Sequence, residues 1–148
     1  TVEFATFSGN RADSGGAIWN NGGTNTITLS KSILANSRDE ANSFDQLECD
    51  GPSLTTAGYN IIQDGSCFST EAEGDLRNTD PALGPLQNNG GFSLTHLPAS
   101  GSPAVDRVPA AQCRPDDQRR AWRVHACDSG AVERGALFPT IYVPIVLR

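Results

Sequence analysis

The chain has 148 residues, enough for one continuous core but not for two independent ones. An apolar content of 37%, 15 glycines, 9 prolines and no methionine argue against long helices and for turn-rich β structure. A net charge of -6, with one lysine among eleven cationic side chains, excludes nucleic acid and a basic membrane surface as partners, because both need concentrated positive charge.

The chain opens at Thr1 with no charged and apolar leader, as a processed or excised polypeptide would. Val2 to Phe7 already reads as strand, with no cap before it. Thr6-Phe7-Ser8-Gly9-Asn10 is echoed 26 residues later by Ser32-Ile33-Leu34-Ala35-Asn36, and Tyr59-Asn60-Ile61-Ile62 offers a fainter third copy. Between the first two lie Gly15-Gly16-Ala17-Ile18-Trp19, the turn Asn20-Asn21-Gly22-Gly23 and the alternating strand Thr26-Ile27-Thr28-Leu29-Ser30. Strands this short at a period in the mid-twenties fit rungs of a solenoid, stacked about 4.8 Å apart. In that reading Phe7, Ile18, Ile27, Leu29, Ile33 and Ile61 point inward, and Asn10 and Asn36 recur at one corner. A β-sandwich with chance similarity is the alternative.

Cys49, Cys67, Cys113 and Cys127 allow three pairings. They form two well-separated couples, neither with CxxC spacing, and His96 and His125 lie far apart, which disfavours zinc. Local pairing, Cys49 with Cys67 and Cys113 with Cys127, is preferred. Each bridge closes a loop of roughly 15–19 residues, worth on the order of 3 kcal/mol, and suits an oxidising compartment, so the chain is expected to be secreted or at the cell surface.

From Ser69 the repeat lapses into punctuation: Asp80-Pro81, Gly84-Pro85, Asn88-Asn89-Gly90-Gly91, Ser102-Pro103. An irregular cap over the exposed end of the solenoid is expected there. After Glu133 the chain turns apolar and β-branched. The division is rungs over 1–68, cap over 69–135 and an extended tail over 136–148. No run of eighteen apolar residues occurs, so no membrane-spanning segment is expected.

Gly15-Gly16-Ala17-Ile18-Trp19-Asn20 resembles the GGGIYN signature of right-handed parallel β-helix surface proteins of the polymorphic outer-membrane and pectate-lyase-like kind. Asn78-Thr79-Asp80-Pro81-Ala82-Leu83-Gly84-Pro85-Leu86, Asn89-Gly90-Gly91 through Thr95-His96, Gly101-Ser102-Pro103-Ala104-Val105-Asp106, Asp117-Gln118-Arg119 and Cys127-Asp128-Ser129-Gly130-Ala131-Val132-Glu133 resemble the terminal module of secreted bacterial proteins often called choice-of-anchor. Where that module has Gly and then Pro after Asp-Gln-Arg, this chain has Arg120-Ala121-Trp122-Arg123. The ending Tyr142-Val143-Pro144-Ile145-Val146-Leu147-Arg148 is similar to a terminal motif of exported Chloroflexota proteins. The resemblance implies an all-β fold, a short right-handed parallel β-helix with a disulfide-pinned C-terminal cap and an extended tail.

Acidic candidates gather in the cap: Asp106, Asp116, Asp117, Asp128 and Glu133, near Arg119 and Arg120. Paired carboxylates would serve glycoside hydrolysis, or would hold Ca²⁺ while an arginine takes a proton, as in the pectate-lyase relatives. A structural use fits better, because a cap with few apolar residues needs ion pairs and Asx turns. Asp106, Asp117, Gln118, Arg119, Asp128 and Glu133 are assigned that structural part, and no cofactor, metal or catalytic residue is expected. Trp19, Tyr59 and Trp122 offer stacking faces for sugar but also serve packing.

The expected function is that of a non-catalytic extracellular structural protein associating with itself head to tail. Phe4, Phe7, Phe138, Ile141, Tyr142, Val143, Ile145, Val146 and Leu147 are the assembly residues, the tail adding as a strand to an open edge. The alternatives are a fragment of a carbohydrate-active β-helix enzyme and an adhesin or anchor module that binds extracellular glycan.

Overall fold

The computed structural model describes residues 1–22, 24–39, 47–52 and 54–139. Among them the regular structure is β, with one 3₁₀ turn at Ala110–Gln112 and no α-helix. No helix is long and apolar enough to cross a membrane.

The strands recur in the same order. A first pass of the chain carries β1 (Val2–Glu3), β2 (Thr6–Ser8), β3 (Arg11–Ala12) and β4 (Ile18–Trp19). A second carries β5 (Ile27–Ser30), β6 (Ile33–Ala35), β7 (Arg38–Asp39) and β8 (Cys49–Asp50). A third begins with β9 (Leu54–Thr56) and β10 (Ile61–Ile62), and β11 (Leu76–Arg77) adds below β10. Each strand pairs in parallel with its counterpart in the next pass, giving the orders β1-β5-β9, β2-β6-β10-β11, β3-β7 and β4-β8. β-branched and aromatic residues at these positions suit a pleated surface covered on both sides.

The first two passes pair at an offset of 27 residues in three of their four strands, with Thr6 beside Ile33, Phe7 beside Leu34 and Ser8 beside Ala35, while β4 and β8 are 31 apart and β6 and β10 are 28 apart. The sequence match at 26 is therefore one residue out of register. Gly9 and Asn36 consequently share the corner, both with left-handed backbone, at φ 70° and 62°. Asn36 still reaches the pass above it, donating its side-chain amide to Ser8 Oγ at 3.4 Å.

The one-residue difference also changes which side chains face inward, since neighbours along a strand point to opposite faces. Leu29, Leu34 and Ile62 lie fully buried in one cluster with the Cys49–Cys67 bridge and Phe68, flanked by Val2, Phe7, Ile18 and Ile27. Ile33 and Ile61, expected in that core, face the other way. They pack against Ala104, with Leu76 and Leu83 at the margin.

The C-terminal region supplies this second layer. β12 (Leu83–Gln87) and β13 (Thr95–Pro98) form an antiparallel hairpin, and irregular chain follows, pinned by Cys113–Cys127. Rather than lying across the end of the strand stack, this layer runs along its side and touches all three passes. The Ala131 N–H donates to Thr6 Oγ1 at 3.0 Å, the Gly130 N–H to the Lys31 carbonyl at 2.8 Å, and Ser129 Oγ to the Tyr59 carbonyl at 2.7 Å. The lower end of the inner core is closed instead by Cys67 and Phe68. Both predicted disulfides are present.

Candidate functional site

Two features deserve description as candidate sites: the buried ionic network of the C-terminal layer, and the free edge of the first pass. The network begins at the tight turn Asp117–Arg120. Asp117 Oδ1 accepts the Arg119 and Ala121 N–H groups at 2.7 and 3.2 Å, and Oδ2 accepts Arg119 Nε at 2.9 Å and the Glu133 N–H at 3.0 Å. Arg119 then bridges outward, donating Nη1 to the Asn89 carbonyl and Nη2 to the Glu133 carbonyl. Beneath it Arg123 donates Nη1 to Glu133 Oε2 and to the Asp128 carbonyl, both at 3.0 Å, and Nη2 to the Gly130 carbonyl at 2.9 Å. Asp128 accepts the Asp106 N–H on Oδ1 and the Arg134 N–H on Oδ2.

One oxygen each from Asp106, Asp128 and Glu133 lie within 4.8 Å of one another. Burial outweighs the N–H donors and holds the Asp128 carboxyl above its usual range; it pushes Glu133 up to about 7, with Asp128 adding to the rise and Arg123 opposing it. Burial likewise lowers Arg123, against the pull of Glu133, Asp117 and Asp128. Asp117, Asp128 and Glu133 are buried and already serve peptide groups and arginines, and the network ties together residues 89, 106, 117–123 and 128–134.

The sequence-chosen residues divide between the two features. Asp106, Asp117, Arg119, Asp128 and Glu133 come together in the network, while Gln118 stands beside it, donating Nε2 to Ser93 Oγ at 3.0 Å. Asp116 is exposed. His96 Nδ1 pairs with the Gly84 carbonyl at 2.7 Å inside the hairpin, remote in role from any acid–base pair. Phe4 lies at a left-handed corner, φ 50°, which turns its ring away from the inner core and under the Arg123 guanidinium at 4.5 Å and the Lys31 ammonium at 5.6 Å. It is buried between layers, not displayed at an edge. Phe7 is half-buried at the upper end of the inner core, and Phe138 sits under Arg119 at 5.1 Å. Ile141, Tyr142, Val143, Ile145, Val146 and Leu147 lie outside the described residues.

Three contributors were not singled out from sequence. Arg123, the central cation, sits in the segment that departs from the Asp-Gln-Arg-Gly pattern, and that departure was the available signal. The sole lysine, Lys31, pairs with Glu3 at 2.8 Å, and Glu3 also takes Arg114 at 2.8 Å, tying the first pass to the C-terminal layer. Asn60, fully buried, binds the Ser32 N–H, the Leu29 carbonyl, Thr56 and Asp75, with no sequence signal beyond its place beside Ile61.

The second feature is the edge formed by β1, β2, β3 and β4. Among the described residues each of these strands has a partner on one side only. Val2, Phe7, Ala17 and Ile18 lie partly exposed along it, and Trp19 is 58% exposed. Leu86 and Leu94 of the hairpin border Thr6 in a small cleft on the same side. Compared with known proteins, the chain matches no family model, no curated protein and no solved structure.

Proposed function

We propose that the chain is a short parallel β-helix, right-handed as crossovers between parallel strands nearly always are, acting as a non-catalytic structural module outside the cytoplasm. The recurrence of strand partners at offsets of 27 to 31 residues supports the solenoid reading, and the two disulfides support an oxidising compartment. The resemblance to β-helix surface proteins and the choice-of-anchor module agrees with this assignment.

The observation that carries the structural role is the order β1-β5-β9, a parallel sheet with one free edge in the first pass and another in the third. Its free edge offers unpaired main-chain groups to a strand of a second copy, and because the neighbouring sheet runs one strand further, to β11, the two copies meet with that step between them. Partly exposed Val2 and Phe7 at one end, and Leu54 at the other, supply apolar surface for that contact. Head-to-tail contact of this kind does not close, so its product is a fibre. The partner is therefore a second copy of this chain.

Sedimentation over a range of concentrations, with electron microscopy of the largest species, tests the assignment. The native chain is expected to form species that grow with concentration, and Val2→Lys or Phe7→Lys to leave monomers with an unchanged far-ultraviolet spectrum, because an edge charge blocks strand addition. A native chain that stays monomeric at every concentration, or lysine variants that assemble as before, would overturn it.

A further inference from the structure

Away from both features, a cleft of about 260 Å³ opens where the second and third passes turn, lined by Asn36, Ser37, Arg38, Glu48, Gln63 and Asp64. Its walls carry two carboxylates, two side-chain amides and a hydroxyl, with one guanidinium. Glu48 is 2% exposed, and only one of its carboxylate oxygens is satisfied: Oε1 accepts the Ser37 N–H at 2.9 Å, while Oε2 has no hydrogen-bond partner. The Ser37 hydroxyl, on a residue 4% exposed, is also buried with no partner. Buried polar atoms are nearly always paired, so two orphans lining one cleft point to a missing occupant.

The neighbouring groups define its chemistry. Asp64 Oδ2 accepts the Glu48 N–H at 2.8 Å, and Oδ1 accepts the Ser66 N–H at 2.9 Å and the Ser66 hydroxyl at 2.6 Å, so the carboxylate is fixed in place with one lone pair left on Oδ2. Gln63 Oε1 is held by the Asn36 N–H at 2.5 Å. Carboxylate, hydroxyl and amide oxygens from separate turns, without sulfur or imidazole, form a donor set for a hard cation. Burial, reinforced by the Asp64 charge and opposed by Ser37, raises the Glu48 carboxyl above its ordinary range, which is the strain a bound cation would relieve.

We infer that this cleft is a calcium site, with Glu48 Oε2, Ser37 Oγ and Asp64 as protein ligands and Gln63 at its margin. Ca²⁺ is preferred to Mg²⁺ because ligands drawn from separate turns suit its irregular coordination better than a rigid octahedron. Arg38, exposed at the mouth, opposes the cation by charge and sets the affinity low, near the 10⁻⁴–10⁻³ M of extracellular calcium modules. The site stands apart from the Asp106, Asp128 and Glu133 cluster, where both Asp128 oxygens and Glu133 Oε2 already accept hydrogen bonds.

Calorimetric titration of the chelator-stripped full chain with CaCl₂, followed by melting curves with and without the ion, tests the assignment. One Ca²⁺ per chain is expected, with a higher melting temperature. Glu48→Gln and Asp64→Asn should weaken binding at least tenfold and abolish the melting shift. Ser37→Ala, a smaller change, should weaken it several-fold, and keeps the test open should the carboxylate variants fail to fold. Arg38→Gln should tighten binding, an effect that loss of a purely structural contact would not produce, and Asp106→Asn should leave it unchanged. No saturable binding up to roughly 10 mM, an order of magnitude above that range, or binding that survives Glu48→Gln in a folded variant, overturns the site.

Discussion

Glu133 shows how a residue's environment reverses its ordinary behaviour. Its carboxyl is 1% exposed and faces Arg123, Asp128 and Asp106, while its own N–H is held by Asp117 and its carbonyl by Arg119. Its folded value near 7 lies above the ordinary 4.5, so the folded state binds the proton more tightly than the unfolded chain. The resulting stability is complete below about pH 4.5 and is lost as pH rises through 7. Asp128 and Glu48, both raised, act in the same direction, whereas Glu3, lowered chiefly by Lys31 against its own partial burial, loses its contribution as pH falls. Urea unfolding from pH 4.5 to 7 should therefore show declining stability for the native chain and a flatter profile for Glu133→Gln. An unchanged slope in that variant would assign the effect to other groups.

At the level of elements, the corners decide how the two layers meet. Phe4, Lys31 and Tyr59 each adopt left-handed backbone, at φ 50°, 52° and 60°, and each N–H bonds down to the next turn, at Ser30, Gly58 and Glu73. Left-handed geometry costs an ordinary residue about 1–2 kcal/mol. Here the burial of Phe4 and Tyr59 with Val108 and the Cys113–Cys127 bridge offsets it. The loop 127–133 meets the sheet at Gly130, φ 92°, where an added Cβ would stand 2.7 Å from Thr6 Oγ1 and 2.8 Å from Ile33 Cδ1. Gly130→Ala should cost at least ~2 kcal/mol, from the backbone conformation and from displacement of the loop. Chemical unfolding of that variant measures it, and a loss under about 0.5 kcal/mol, the range of ordinary surface substitutions, would mean that the loop docks loosely.

Over the whole molecule, the two disulfides divide the labour. Cys49–Cys67 joins the second pass to the segment closing the inner core, with both cysteines buried there, whereas Cys113–Cys127 staples the irregular layer to itself. The chain-entropy estimate gives about 3 kcal/mol for each. Replacing Cys49 and Cys67 by alanine should cost more than replacing Cys113 and Cys127, because both cysteines of the first bridge are buried in the inner core beside Leu34 and Ile62, whereas in the other bridge only Cys127 is buried. Urea unfolding of the two double variants ranks them, and the reverse order would place the greater share of stability in the C-terminal layer.

The sequence by itself determined the β character, the repeat to within one residue and both cysteine pairings. Each of these is written in neighbouring residues: turn punctuation, β-branched runs, and loop lengths short enough to favour local bridges. Only the tertiary structure decided the register, and with it that Leu34 and Ile62 fill the inner core while Ile33 and Ile61 face the second layer, because a match between Asn10 and Asn36 cannot report which backbone groups pair. It alone also decided that the C-terminal layer lies along the strands. Ala131 meets Thr6 across 125 residues, and Arg114 meets Glu3 across 111. Contacts at that separation leave no local periodicity, and the charges of Arg123, Glu133 and Glu48 acquire their meaning only from what burial places beside them.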